Sequence, residues 1–197
     1  MAQAHAQAGM APPLEVPRIN FVNLVWAFAA IAIMVAAILA RHPWYLNTVH
    51  VFTAVLWTGT DLFMGFVVGP VMRRLPTDAR KAFILRLMPR MLFLMPTLAI
   101  VGGTSGWFLG QQLGFFDLDY PQLWWVIAAV AILVVLTVQG LGILLPTNLR
   151  VYFELRKPAP DPAKIGRLMR FYVVVVASQG LMQLGIIVIM SRFAMGL

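Results

Sequence analysis

Charged residues are missing from four long stretches of this chain. Phe21–Ala40, Met91–Leu113, Leu123–Leu149 and Phe171–Ser191 contain no Asp, Glu, Lys or Arg. A fifth stretch, Val49–Met72, holds one charged residue, Asp61. A bilayer's hydrocarbon core is about 30 Å thick, and a helix rising 1.5 Å per residue crosses it in roughly 20 residues. The pattern therefore predicts five spans, at about 21–40, 47–72, 91–113, 123–149 and 171–192. Within lipid, only helices and closed barrels satisfy every backbone group. Barrel strands are about half this length and alternate in polarity. The fold class is all-α: a polytopic membrane helical bundle, with residues 20–197 as a single transmembrane domain. Residues 1–19, with Pro12, Pro13 and Pro17 and few large apolar side chains, are expected to form a disordered lead. They lack the basic start of a signal peptide, and span one is too long for a signal core, so it is expected to be retained.

A short pattern recurs along the chain. Span two ends Gly69-Pro70-Val71-Met72-Arg73, and span four ends Leu145-Pro146-Thr147-Asn148-Leu149-Arg150. Each exit leads into a basic loop with a helix start, at Asp78-Ala79-Arg80-Lys81 and at Asp161-Pro162-Ala163-Lys164. Pro162 suits the first helical position behind an Asp161 cap. Arg-Leu-Met then precedes the next span in both, at 86–88 and 167–169. Spans two–three and four–five are thus expected as two parallel hairpin copies in a four-helix bundle, with span one as an extra N-terminal helix. Ala79–Arg90 is amphipathic and is expected to lie in the membrane interface, its cations near anionic headgroups.

Composition agrees with the spans. The chain is 61% hydrophobic and 11% charged, with a formal charge of +8. Soluble domains carry about 25% charged residues. The positive charge does not imply a nucleic-acid partner, because topology explains it. Arg73–Arg90 and Arg150–Arg170 hold six Lys and Arg each, twelve of the chain's fifteen. The link between spans three and four holds Asp117 and Asp119 and no cation. The positive-inside rule makes the two basic segments cytoplasmic, which puts the N-terminus inside and the C-terminus outside. Trp44, Tyr45, Tyr120, Trp124 and Trp125 would then form the outer aromatic belt. The absence of cysteine excludes disulfides, thiolate metal sites and cysteine nucleophiles. Phosphate-binding loops, dinucleotide fingerprints, HExxH and nucleophile elbows are also absent, so soluble-type catalysis is not expected.

Asp61 is the sharpest candidate for chemistry. A carboxylate at bilayer depth costs a few kcal/mol or more unless paired, protonated or wet. His50 lies eleven residues earlier, close to three full turns, so both share one face of span two, and Trp57 joins them. Gln139 on span four and Ser178, Gln179 and Gln183 on span five are expected partners of this stripe. Together they could line a proton or ion path or a polar cofactor pocket, or serve as interhelical glue. Gly102, Gly106 and Gly110 form a second stripe on span three, and Gly65 and Gly69 repeat its spacing. Small residues let helices approach closely, within one bundle or between copies. Met88, Met91 and Met95 share one side of the approach to span three. Thioethers suit copper(I) and also fill gaps in apolar bundles. An imidazole such as His50 could ligate haem b.

His50-Val-Phe-Thr-Ala-Val-Leu-Trp57-Thr-Gly59, followed by the Pro70 exit and a basic loop, resembles the copper-resistance D membrane family and related four-helix integral membrane proteins. Arg86-Leu-Met-Pro-Arg-Met-Leu-Phe-Leu-Met-Pro96 through Gly102-Gly103 is similar to a segment of the bacterial haem-containing protoporphyrinogen oxidase family. The chain departs from the latter at Leu123–Ala128, which lacks its Lys, and at Gln139, which stands near where a His is expected. The first resemblance implies a transport or accessory subunit in a bacterial-type inner (plasma) membrane, with a larger complex or a homo-oligomer as its setting. The second implies haem b, with His50 as axial ligand and Trp57 beside it, in an electron-transfer or oxidase protein. A purely structural subunit is the third expectation.

Overall fold

The computed structural model describes residues 19–196. The expected disordered lead, apart from Ile19, lies outside the described residues. Five helices follow in order: α1 Asn23–Leu39, α2 Pro43–Arg74, α3 Thr77–Gln112, α4 Leu123–Leu155 and α5 Pro162–Ala194. Helices α2 to α5, of 32 to 36 residues, are long and apolar enough to cross a membrane. Helix α1 has 17 residues, or roughly 26 Å at 1.5 Å each, and falls short of that length.

The helix ends differ from the expected spans, and the reason is local. At 1.5 Å per residue the long helices run to roughly 50 Å, well past a 30 Å hydrocarbon core. Hydropathy marks where lipid solvates a helix, whereas Arg, Lys, Leu and Ala in the basic segments are all good helix formers. Ala79–Arg90 is therefore the opening of α3 itself, continuous with the apolar part. Pro89 and Pro96 lie inside α3 without ending it.

Prolines have a different consequence in α2 and α4. Pro70 and Pro146 each lack an N–H and crowd the carbonyl four residues back. Each follows a wider π-helical turn, Met64–Val68 in α2 and Val138–Leu144 in α4. The residue before each proline donates five residues back, Gly69 to the Met64 carbonyl and Leu145 to the Gly140 carbonyl. The widened turn accommodates the ring, so neither helix breaks.

Links between helices are closed by specific caps. His42 caps α2, its Nδ1 accepting from the Trp44 N–H at 3.3 Å, with Pro43 at the first helical position. Arg80 folds its guanidinium back over the end of α2, donating to the carbonyls of Met72, Arg73 and Leu75 at 2.9, 3.1 and 3.2 Å. A cation there also complements the negative end of the helix dipole. Asp161 caps α5, its Oδ1 accepting from the N–H groups of Ala163 and Lys164 at 2.9 and 3.1 Å. Glu154, buried at the end of α4, accepts from Lys157 at 2.9 Å and Lys164 at 2.7 Å. Arg80 and Glu154 thus staple the two basic links.

Helices α2, α3, α4 and α5 form a ring of neighbours, with α1 against α3 and α2. Three buried clusters hold it. At the basic end Leu85, Met88, Val151, Tyr152 and Leu155 pack together, joined by Ile165, Leu168 and Ile19. At mid-height lie Trp57, Leu98, Ala99 and Leu136. Toward the aromatic end Ala37, Leu46 and Leu109 tie α1 to α2 and α3. There Arg192 also lies over the Trp125 ring at 4.8 Å, pinning α5 to α4. Leu85→Ala, which empties a fully enclosed site, should cost about 2–5 kcal/mol of stability. Phe66→Ala, at a side chain 76% exposed, should change it little. Unfolding of both variants in mild detergent checks this.

Candidate functional site

The site is built on one face of α2. His50, Thr53, Trp57 and Asp61 follow at steps of three and four, the spacing of one helical stripe. The upper part of this face rests on the glycines of α3. A methyl group on Gly106 would stand 2.7 Å from His50 Cε1 and 2.9 Å from Nδ1. One on Gly102 would meet Thr53 Cγ2 at 3.3 Å and Trp57 Cε3 at 3.8 Å. Gly110 seats the Phe116 ring in the same way, at 3.2 Å. The α3 glycine stripe is therefore occupied by its own chain. Gly65 has nothing within 4 Å of an added methyl, and Gly69 meets only its own helix at Met64 O.

His50 is also fixed by a hydrogen bond. Its Nδ1 lies 3.0 Å from the Gly102 carbonyl oxygen. A carbonyl can only accept, so Nδ1 carries the hydrogen, and in the neutral ring Nε2 keeps its lone pair. His50 is the one imidazole in a candidate span that is free of a capping role, because His42 is engaged at the start of α2.

Lower on the face, Asp61 reaches across to α5. Its Oδ2 accepts from Gln183 Nε2 at 2.7 Å. Trp57, one turn back on α2, lies within electrostatic reach of the carboxylate. Gln183 is only 2% exposed, and its Oε1 has no partner among the described residues. Gln179, also 2% exposed, spends its amide on the Leu136 carbonyl at 3.1 Å. Gln139 donates to Ser178 Oγ at 3.2 Å, and Ser178 donates onward to the Val175 carbonyl at 2.7 Å. Gln139 Oε1 is buried and has no partner among the described residues. Asp61, Gln183, Gln179, Ser178 and Gln139 thus compose a polar layer joining α2, α4 and α5.

Two residues not expected from the sequence extend this layer toward the basic end. Tyr172 lies within electrostatic reach of Asn148 and Asp61. Asn148 follows Pro146 at the exit of α4, and a polar amide in an otherwise apolar run was its signal. Tyr172 had none, since an aromatic near a span end reads equally well as an interfacial anchor.

The methionines are not gathered with His50. Met88 packs in the basic-end cluster, Met95 beside the mid-height cluster, and Met91 is half-buried. Measured from Gly102, where His50 is bound, Met95 stands roughly 10 Å away along α3 and Met88 roughly 20 Å. Among the described residues there is no group of three or more His, Asp or Glu that could hold a metal.

Gly106→Ala should force the His50 ring out of its seat and cost about 1–3 kcal/mol. Gly59→Ala, where an added methyl meets nothing within 4 Å, should instead gain about 0.5–1 kcal/mol. Thermal unfolding of the two variants in detergent measures the difference. Comparison with known proteins does not alter this picture: no protein-family model, curated protein or solved structure matches the chain.

Proposed function

We propose that this is an integral membrane transport or accessory subunit whose working group is Asp61. The observation that carries the reading is an energetic mismatch. An Asp at the centre of a membrane helix costs about 2.5–3.5 kcal/mol to insert. An interhelical side-chain hydrogen bond returns on average about 0.6 kcal/mol, and about 1.7 at most. The bond to Gln183 and the contact with Trp57 do not offset that cost, and an apolar pair in place of both Asp61 and Gln183 would hold α2 to α5 at least as well. The carboxylate is retained for what it binds or carries. His50 above it and Tyr172 with Asn148 toward the basic end extend the polar track along the bundle.

In this reading α1 is a fifth membrane helix, short and packed against α2 and α3. The paired π turns before Pro70 and Pro146 support two parallel hairpin copies, α2–α3 and α4–α5. Ile19 packs in the basic-end cluster, which sets the start of α1 on the same side as both basic links. The positive-inside rule makes that side cytoplasmic in a bacterial-type inner membrane. The resemblance to the copper-resistance D family gives copper as one cargo to test. The separation of the methionines argues against a preformed copper centre of Met88, Met91, Met95 and His50.

Asp61→Leu separates a working carboxylate from glue. The variant strands the Gln183 amide and should lose about 1–3 kcal/mol of stability, yet still fold, and lose tenfold or more of its flux. The check is uptake of protons, alkali cations and copper into proteoliposomes, paired with detergent unfolding. Loss of folding with no separable effect on flux would make Asp61 glue.

A second reading, haem b ligation by His50, is favoured by one observation. The Nδ1 hydrogen bond to a backbone carbonyl is the arrangement that orients an imidazole to ligate through Nε2. The residues fit one axial ligand and no more, and a second imidazole would have to come from another copy of the chain. Bound haem would supply one-electron chemistry, while His50 and Gly102 would set the orientation of the ligand. A dithionite-reduced spectrum of protein purified from haem-replete cells should then show α and β bands that vanish in His50→Ala. A spectrum of aromatic absorbance alone removes this reading.

A further inference from the structure

Resting on the reading of Asp61 as the working group, we propose that Asp61 and Gln183 form a binding site for one alkali metal cation of the sodium class. Four features of the polar layer lead there.

The first is an unmet acceptor. Gln183 uses its Nε2 on Asp61, which leaves Oε1 of the same amide buried and without a partner among the described residues. An orphaned buried acceptor is costly and calls for a donor or a cation. With Asp61 ionised, the Gln183 amide meets the carboxylate with its donor end and leaves its oxygen to a cation, whereas a protonated Asp61 would turn the amide to present that oxygen. A metal cation shared by the carboxylate and the amide oxygen satisfies both.

The second is charge. Asp61 is the single Asp or Glu in the apolar stretches, and they hold no Lys or Arg. A monovalent ion neutralises the site. A divalent ion would leave a net positive charge in a medium of low polarity, which is strongly unfavourable.

The third is donor chemistry. Carboxylate, amide carbonyl and hydroxyl oxygens are hard ligands and select hard cations. Sulfur donors are kept apart from them, since Met95 packs at the mid-height apolar cluster and Met88 at the basic end.

The fourth is a supply of further oxygens in the same polar layer. Gln139 Oε1 is also buried without a partner among the described residues, and Gln139 is held against Ser178 on α5. Gln139 lies inside the π turn of α4, and Asp61 stands three residues before that of α2. Such widened turns are frequent at functional sites, where they displace side chains and carbonyls from regular register.

The test uses the full chain in lipid nanodiscs, titrated calorimetrically at fixed pH with sodium, lithium or potassium chloride against a choline background. Sodium should bind saturably at one site. Asp61→Asn should abolish the binding, and Gln183→Leu should weaken it tenfold or more. Should Gln183→Leu fail to fold, Gln183→Glu serves in its place: a second carboxylate keeps the oxygen ligand and should add calcium binding that the parent lacks. No alkali-ion heat in the folded parent overturns the proposal, as does sodium binding that survives Asp61→Asn. Proton uptake as the sole Asp61-dependent event overturns it too. In each of these cases a flux defect in Asp61→Leu would leave Asp61 as the working group, whereas normal flux would remove both readings.

Discussion

A single polar contact closes the ring of long helices. Neighbours α2 and α3 meet through glycines, and α4 and α5 through apolar side chains and the Gln139–Ser178 pair. Between α2 and α5 the hydrogen bond from Gln183 to Asp61, at 2.7 Å, is the specific link. It fixes the rotation of α2, because the stripe that carries Asp61 also carries Trp57, Thr53 and His50. Turning α2 to hide Asp61 from lipid therefore lays His50 and Thr53 onto Gly106 and Gly102. The rotation of α2, the use of the α3 glycines and the place of the polar layer are one constraint expressed three times.

The ends of the bundle obey different physics from its middle. Within the apolar stretches, specificity comes from small residues and a few side-chain amides, because lipid removes the hydrophobic drive between helices. At the basic end water returns and an ordinary buried core appears, around Tyr152, Leu85 and Val151. The charged staples sit there too: Arg80 on the carbonyls that end α2, and Glu154 under Lys157 and Lys164. The basic segments thus have a structural part of their own. They finish the helices and hold each hairpin's two arms at a fixed separation, which positions the polar layer above.

Much of the fold was legible in the sequence because the signal is coarse and repeated. Long runs without charge name the apolar helices, and Asp161-Pro162 names the start of α5 to the residue. The helices extend past the apolar runs where Arg, Lys, Leu and Ala carry the helix on. The shared face of His50, Trp57 and Asp61 followed from spacing alone. Its partners did not, because Gln139, Gln179 and Gln183 are equivalent until the rotation and height of α4 and α5 are known. Only Gln183 meets Asp61, while Gln179 turns to a carbonyl of α4. The seat of His50 on Gly106 depends likewise on the sliding register of α2 against α3, which one sequence does not encode in any local pattern. Tyr172 was missed because its composition signal matches that of an interfacial anchor.

The central claim is that Asp61 is an ion-responsive group held by Gln183 and not an inert strut. Infrared difference spectroscopy of the lipid-reconstituted protein, exchanging choline for sodium, observes that carboxylate directly. A carboxylate band should shift on exchange, be absent in Asp61→Asn, and move in position in Gln183→Leu. A difference spectrum identical in the parent and in Asp61→Asn would contradict it.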